Sequence, residues 1–360
     1  MVARIRGNAN AVGCYARRSM GRPAGDDVAL SGAASGDLRA PRRIGRGEAG
    51  IAAVVAVILA AAALRPALQD LLDRPAVAHW ATIFVAIAIQ AVPFLVLGVT
   101  ISAAIAAFVP SGLLPRLLPQ QPTAAVPIAA LAGAALPGCE CGSVPIAGRL
   151  VARGAPAAAA LTFLLSAPAI NPVVLVATAV AFPGRPEVMV ARLLASLLAA
   201  TVVGLVWARF GRDEHLERAR RGHTHEGSRA SVFAGTAQHD LLHAGGFLIV
   251  GAATAATLQT VVPRHVLDAV AGSGALAAFA LAGLAVIMAI CSEADAFVAA
   301  SLTQFSLTAR LAFMVVGPMV DVKLVALQAG TFGGRFAARF APLTFAVAVG
   351  SALLVGWWLL

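Results

Sequence analysis

Apolar stretches long enough to cross a lipid bilayer recur along the whole of this 360-residue chain. A membrane-spanning helix needs about 20 predominantly apolar residues, and only helices or closed barrels satisfy their backbone polar groups within lipid. Charged residues make up 12% of the sequence, against about a quarter in soluble domains. We therefore predict an all-α integral membrane protein with about eight to nine transmembrane helices. The predicted spans are 51–69, 79–109, 123–138, 157–182, 188–208, 241–262, 272–291, 308–330 and 337–360.

The net charge of +10 is concentrated in two short stretches. Residues 1–50 hold nine arginines against four acids, and residues 209–229 hold six against four. Neither stretch interleaves aromatic residues as nucleic-acid-binding surfaces do, whereas arginine clusters mark the cytoplasmic side of membrane proteins. We therefore predict no nucleic-acid partner. The stretches fit a disordered cytoplasmic tail at 1–48, an additional N-terminal transmembrane helix at 49–78 and a charged cytoplasmic linker at 211–240.

The chain also contains an internal repeat. The motif FLVLG at 94–98 returns as FLIVG at 247–251, and further matches follow in the same order. The matched pairs are Cys141 with Cys291, Pro168 with Pro318, Asn171 with Asp321, and Trp207 with Trp357. So many ordered matches predict two related halves, repeat 1 at 79–210 and repeat 2 at 241–360.

The arginine distribution predicts how these halves are oriented. If residues 123–153 dip into the membrane, break at PGCECG and return, each half makes an odd number of net crossings. The linker then lies on the same side as the N-terminal tail, and the halves are inverted. Arg149 and Arg153 on the returning arm would face the cytoplasm, and the equivalent stretch 299–304 has no basic residue. We therefore predict two inverted repeats, each with a broken or re-entrant hairpin.

Two cysteines flank an acid at the first predicted break, LPGCECGSVP at 136–145. Thiolates bind soft or thiophilic species, and the carboxylate of Glu140 can add charge or carry a proton. Cys139 and Cys141 form neither a CxxC redox pair nor a structural zinc pattern. We predict that this segment lines a substrate pathway. The alternative is that small cysteines pack where a broken helix needs thin side chains.

The second predicted break carries CSEADAF at 291–297, the counterpart of the first in the repeat. Its candidate pathway residues are Cys291, Ser292, Glu293 and Asp295. Ionisable residues inside a membrane are costly, and by default they mark a pathway, a proton relay or an ion pair. The alternative is that an acid here caps the helix beginning with AFVAAS, because helix N-termini favour acids.

A proline followed three residues later by a polar side chain occurs in both halves, in SAPAINP and in VGPMVDVK. The proline frees a backbone carbonyl, and Asn171 or Asp321 can then bind a neighbouring segment or a substrate. Lys323, the only lysine of the chain, lies two residues beyond Asp321 and is a third candidate. The alternative is an Asp321–Lys323 or Glu293–Lys323 ion pair that locks the halves together. Three other arginines are expected to snorkel or pair: Arg65, Arg192 and Arg310.

Four motifs together, PGCECGSVP, LLSAPAINPVVL, CSEADAF and GPMVDVK, resemble the predicted permease family that contains the organoarsenical efflux permease ArsP, in particular its GCECG branch. The resemblance covers about residues 79–360 and implies a multi-span cytoplasmic-membrane permease. In characterised members it implies trivalent organoarsenical substrates and participating thiols, which makes Cys139, Cys141 and Cys291 candidate thiophilic ligands. Arsenical-exporting members of the family are expected to carry a small polar residue where this chain has Glu140, which changes the charge of the site.

These observations predict a secondary permease of the bacterial inner membrane that exports small thiophilic solutes by alternating access, with no catalytic residue and no cofactor. One alternative is a membrane thiol–disulfide or electron-transfer protein that uses Cys139 and Cys141. Another is a non-transporting subunit of a membrane complex. The expected partners are the lipid bilayer, a small solute, and either a second copy of the chain or a membrane partner protein.

Overall fold

The computed structural model describes residues 74–110, 113–117, 119, 121–135, 139–211, 228–261 and 274–360. The predicted tail, most of the predicted N-terminal helix and most of the predicted linker lie outside these residues. All of the described residues belong to one unit, 65–360, by the clustering of their contacts. Below, residues 74–211 are called the N-terminal region and residues 228–360 the C-terminal region.

The described residues form helices and connecting turns, without a strand. In the N-terminal region the helices are α1 Pro75–Phe108, α2 Leu113–Leu117, α3 Pro122–Gly133, α4 Glu140–Ala152, α5 Ala157–Ile170, α6 Pro172–Ala181 and α7 Pro186–Phe210. In the C-terminal region they are α8 Arg229–Val261, α9 Gly274–Met288, α10 Asp295–Ser301, α11 Leu307–Val316, α12 Val322–Thr331 and α13 Gly334–Leu359.

Five helical stretches in the described part are long and apolar enough to cross a membrane, and the shorter helices α3, α9 and α11 are also apolar. The five are α1, the α5–α6 stretch Ala157–Ala181, α7, α8 and α13. Large apolar side chains remain exposed along them, such as Ile89 on α1 and Ile249 on α8. Exposed apolar side chains of this kind suit lipid contact, and the chain is a multi-pass membrane protein.

Each predicted span within the described residues falls on one helix or on two successive helices. The bounds differ most at α8, which begins at Arg229 although the span was predicted to begin at 241. Residues 229–240, predicted as part of the linker, are therefore helical here. The spans 157–182 and 308–330 are each divided into two helices, the first by the extended residue Asn171 and the second by the turn at 317–320 and the extended residue Asp321.

Both interruptions are followed by a helix that the preceding side chain caps. Asn171 precedes Pro172, and the residue before a proline is disfavoured in the helical conformation. Its side-chain oxygen accepts a hydrogen bond from the Val174 N–H at 3.0 Å and so caps α6. Asp321 caps α12 in the same way, accepting from the Leu324 N–H at 2.6 Å. Both residues are fully buried. An N-cap of this type satisfies a donor that the broken helix would otherwise leave unpaired.

Two glycines of the repeated FLVLG and FLIVG motifs stand at close helix crossings. A Cβ on Gly98 of α1 would collide with the backbone of Gly142 on α4, and a Cβ on Gly142 would lie 2.8 Å from the Phe94 carbonyl oxygen. A Cβ on Gly251 of α8 would lie 2.6 Å from the Cα of Lys323 on α12. Small residues at such points let membrane helices approach closely. The long helices α1 and α8 therefore press directly on the segments that carry the predicted site.

Candidate transport site

The first cluster of the site joins one lysine to two acids. Lys323 Nζ lies 2.9 Å from Asp321 Oδ2 and 2.5 Å from Glu140 Oε1. It also donates a hydrogen bond to the Ala289 carbonyl oxygen at 2.7 Å. The three ionic side chains are at most 3% exposed, and they lie on α4 and on α12 with its N-cap. Lys323 therefore ties the N-terminal region to the C-terminal region at a buried point.

The carbonyl that Lys323 contacts is made available by a break in the chain. α9 ends at Met288, and Ala289 has a positive φ of 46°, the only non-glycine residue of the described part to do so. This left-handed conformation costs a residue with a Cβ about 1–2 kcal/mol. It ends the helix, and the freed Ala289 carbonyl oxygen accepts a hydrogen bond from the Lys323 ammonium. The strain is located where the second predicted break meets Lys323.

Glu140 is the least satisfied member of this cluster. It is fully buried, and neither carboxylate oxygen makes a hydrogen bond of acceptable geometry, although Oε1 is in ionic contact with Lys323. Asp321, by contrast, uses Oδ1 to cap α12 and Oδ2 to accept from Lys323. Glu140 is the first residue of α4, where the helix dipole favours a negative charge. One lysine thus faces two carboxylates, and the second is only partly compensated.

The second cluster is a one-to-one ion pair between Arg192 and Asp295. The Nη2 group of Arg192 on α7 lies 2.8 Å from Asp295 Oδ2 and donates to the Ser292 carbonyl oxygen at 3.1 Å. Its Nη1 group donates to Thr178 Oγ1 on α6 at 2.9 Å. Asp295 begins α10 but does not cap it with its side chain. The second break is thus held by an arginine of the N-terminal region, and Asp295 also lies in the first turn of α10, as the alternative expected, without forming a side-chain cap hydrogen bond.

The cysteines surround these clusters. Cys139 and Cys141 are buried, as is Cys291, whose thiol lies 2.7 Å from Glu293 Oε2 and donates to it. All three are free thiols. No group of three or more His, Cys, Asp or Glu side chains in the described residues is arranged to hold a metal ion. In this conformation the thiols therefore form no ready-made metal centre.

Electrostatic interactions connect the two clusters. Glu140 interacts with Cys291 and with Asp295, as well as with its own partners Asp321 and Lys323. We call the combined group the central cluster. It comprises Cys139, Glu140, Cys141, Arg192, Cys291, Ser292, Glu293, Asp295, Asp321 and Lys323. Asn171, also predicted for the site, caps α6, the helix that carries the Thr178 contact of Arg192.

Comparisons with known proteins identify the family. A family model described as a predicted permease, of the ArsP type, matches residues 76–357. The chain belongs to this permease family. It is 36% identical over 285 residues to the UPF0718 protein YcgR of Bacillus subtilis, covering 76% of this chain and 96% of that protein. It is 32% identical over 283 residues to a Streptococcus mutans protein named as a proposed two-component membrane permease complex subunit, covering 76% and 94%. No solved structure matches the chain significantly.

The permease has a further ion pair away from the central cluster. Arg149 Nη2 on α4 lies 2.9 Å from Asp240 Oδ2 on α8, and the same oxygen accepts from Ser102 of α1 at 2.8 Å. Arg153, just beyond α4, donates to the carbonyl oxygens of Ala106 and Val109 at the end of α1. The C-terminal ends of α1 and α4 and the N-terminal part of α8 therefore meet. We call the Arg149–Asp240–Ser102 group the end contact.

Sequence reasoning missed the role of Arg192 and the partners of Arg149. Arg192 was expected to snorkel or pair, and the available signal was its position inside a predicted span, where an arginine needs a partner. Its partner Asp295 is distant in sequence, so the pairing was not readable from spacing. For Lys323, the predicted alternatives were pairing with Asp321 or with Glu293. In the described structure Lys323 pairs with Asp321 and with Glu140, and Glu293 accepts a hydrogen bond from Cys291.

Proposed function

We propose that the chain is a secondary permease of the bacterial inner membrane that moves small solutes by alternating access between two inverted halves. The central cluster is the part of the solute route that both halves share. The observation that carries this proposal is that each broken segment is ion-paired with a basic residue from the other region of the chain. Lys323 of the C-terminal region contacts Glu140 of the first break, and Arg192 of the N-terminal region contacts Asp295 beside the second. Binding sites between broken helices of two repeats are typical of secondary transporters.

The order and bounds of the helices support the two-repeat part of the proposal. α6 at Pro172–Ala181 and α12 at Val322–Thr331 have ten residues each and are both capped by the residue before them. α5 and α11 begin at the matched positions Ala157 and Leu307. A long helix, α1 or α8, opens each series, and another, α7 or α13, ends it.

The inverted, re-entrant topology is supported by the end contact. α3 begins shortly after α1 ends, and the end of α4 lies beside the end of α1 through the Arg153 hydrogen bonds to Ala106 and Val109. A segment that leaves this end of α1 and comes back to it fits a hairpin that enters the membrane and returns. Asp240, in the N-terminal half of α8, meets Arg149 on this side, as expected if the arginine-rich linker that precedes α8 shares that side.

The thiols support a route for thiophilic solutes, with metalloid or organoarsenical compounds as the first class to test. Cys141 and Cys291 occupy matched positions in the two repeats, and Cys139 lies beside the first of them. Soft sulfur ligands favour soft or thiophilic partners. Exchange between successive thiols would let a bound solute pass from one broken segment to the other as the halves move.

Single substitutions test this proposal. The variants Cys139→Ser, Cys141→Ser and Cys291→Ser are expressed in a strain lacking the permease, and resistance and efflux are measured across metals, metalloids and organoarsenicals. At least one is expected to lose most of the transport activity, whereas Cys14→Ser, outside the described residues, keeps it. Unchanged transport in all three variants would refute a thiol route.

A second candidate function is that of a subunit in a membrane complex. It is favoured by the name of the Streptococcus mutans relative, which describes a subunit of a two-component permease complex. Purification in mild detergent followed by native mass measurement distinguishes the cases. A stoichiometric second protein that is required for transport supports the complex, and full activity of the isolated chain in liposomes contradicts it.

A further inference from the structure

We propose that the central cluster selects cationic solutes over anionic ones, so that the permease carries species with a positive charge or a positive end. This inference deepens the proposed transport function and rests on it. It names the charge class of the solute, which neither the family nor the cysteines define.

The first argument is the balance of buried charge. The buried charged side chains of the described residues are Glu140, Asp295, Asp321, Arg192 and Lys323. Three carboxylates therefore face two cations. Half-buried Glu293, which accepts a hydrogen bond from Cys291, adds a fourth carboxylate. Since Lys323 is the only lysine of the chain, no other ammonium is available to neutralise the excess.

The second argument concerns the two resident cations, which already have partners. Lys323 directs its ammonium at Asp321, at Glu140 and at the Ala289 carbonyl oxygen. Arg192 uses both terminal nitrogens on Thr178, Ser292 and Asp295 and leaves only its Nε unpartnered. An oxyanion is normally bound by a guanidinium or ammonium that can turn its donors toward it. Here those donors are occupied, so an arriving anion would have to break an existing ion pair.

The third argument is the state of Glu140. Its Oε1 meets only the Lys323 ammonium and its Oε2 meets no donor, and the carboxylate repels the neighbouring carboxylate of Asp295. An unsatisfied buried carboxylate is costly, and its cost falls when a positive group approaches. The positive ends of helices offer anions no alternative, because Glu140 and Asp295 begin α4 and α10, and Asp321 caps α12. The incompletely compensated carboxylate of Glu140 and the occupied helix ends both favour a cation.

Charged thiol reagents of similar size test the inference without knowledge of the natural solute. Full-length protein with a single cysteine, Cys141 or Cys291, is treated with a cationic trimethylammonioethyl, an anionic sulfonatoethyl or a neutral methyl methanethiosulfonate. Rates are compared with those of β-mercaptoethanol. We expect the cation-to-anion rate ratio in the protein to exceed that of the free thiol at least about tenfold, the effect of one nearby charge at an effective dielectric constant of about 20.

Charge-neutralising variants provide the matched controls. Glu140→Gln and Glu293→Gln are each expected to lower the rate ratio about tenfold, whereas Glu187→Gln, at the start of α7, leaves it unchanged. If Glu140→Gln does not fold, Glu293→Gln in a half-buried position supplies the same comparison. A ratio at or below that of the free thiol, or one that neither variant changes, overturns the charge selectivity. Failure of even the neutral reagent to react contradicts instead the proposed solute route, because a thiol sealed from small solutes does not line one.

Discussion

The two breaks of the permease resemble each other in position and differ in how their charges are balanced. At the first, Glu140 shares Lys323 with Asp321 and keeps two oxygens without hydrogen bonds. At the second, Asp295 has an arginine of its own, which also binds the Ser292 carbonyl oxygen. Both acids begin a short helix, and both are paired with a base from the other region of the chain.

This difference distinguishes an ion pair that stabilises the fold from an ion-pair cluster that can respond to an added charge. Arg192 fixes the second break through a guanidinium that contacts three groups, and its geometry leaves little freedom. Lys323 also contacts three groups, two acids and the Ala289 carbonyl oxygen, but its compact ammonium on a flexible stem can shift between the two acids more easily than a planar guanidinium can. The arginine pair is therefore expected to hold the fold together. Under the proposed function, the lysine cluster is the part whose charge balance is expected to change when a charged solute arrives.

The largest expected effect is at the arginine pair. Arg192→Met leaves Asp295 buried and unpaired, and the free energy of unfolding is expected to fall by about 3–5 kcal/mol. Asp295→Asn is expected to cost a similar amount, and Arg192→Met with Asp295→Leu to recover most of the loss. Thermal unfolding in detergent measures the loss of stability in each variant. Arg209→Met, which replaces an exposed arginine, is the control. Equal stability of either single variant and the unsubstituted protein would show that the pair is not formed.

The lysine cluster is expected to respond asymmetrically. Lys323→Met leaves two buried carboxylates without a cation and is expected to cost about 3 kcal/mol or more. Glu140→Gln removes the excess charge and is expected to change the unfolding free energy by less than about 1 kcal/mol. The same unfolding assay compares the two. A cost for Glu140→Gln as large as that for Lys323→Met would contradict the assigned charge imbalance and make the two breaks equivalent.

The end contact is expected to contribute less to stability than to gating. Its ionic side chains are 13% and 17% exposed, so partial solvation is expected to keep the loss in Asp240→Asn below the about 3–5 kcal/mol expected for the fully buried pair. The same variant is expected to change the rate at which Cys141 reacts with thiol reagents, because α4 and α8 are released from each other. The charge exchange Arg149→Asp with Asp240→Arg should restore the original rate. Failure of the exchange while both single variants alter the rate would argue against a direct pair.

The smallest expected effect is at Ala289. Glycine adopts a positive φ without the Cβ penalty, so Ala289→Gly is expected to raise the unfolding free energy by up to about 1 kcal/mol. The control is Ala282→Gly, which lies inside α9, where glycine is unfavourable relative to alanine. The unfolding assay should rank the two variants in opposite directions. Destabilisation by Ala289→Gly would indicate that the left-handed conformation is not the native one.

Much of this architecture could be predicted from the sequence, because a helix that crosses a bilayer needs a stretch of about 20 apolar residues. The helical spans, and the positions of Asn171 and Asp321 at proline-linked breaks, follow from hydropathy and from backbone restrictions near proline. The pairing of the charged residues did not follow, since Arg192 meets Asp295, and Lys323 meets Glu140, across long sequence separations. The helical extension of α8 to Arg229 was hidden by the polar composition of 229–240, which does not resemble a membrane span.

The central claim is that the two breaks meet in one buried cluster and are tied crosswise by ion pairs. Determination of the structure by electron cryomicroscopy in a lipid nanodisc, with side-chain density, tests it most directly. We predict Lys323 within ion-pair distance of Glu140 and Arg192 within ion-pair distance of Asp295, with the thiols of Cys141 and Cys291 directed inward. Breaks that lie apart, or acids and thiols that face the acyl chains, would contradict the account.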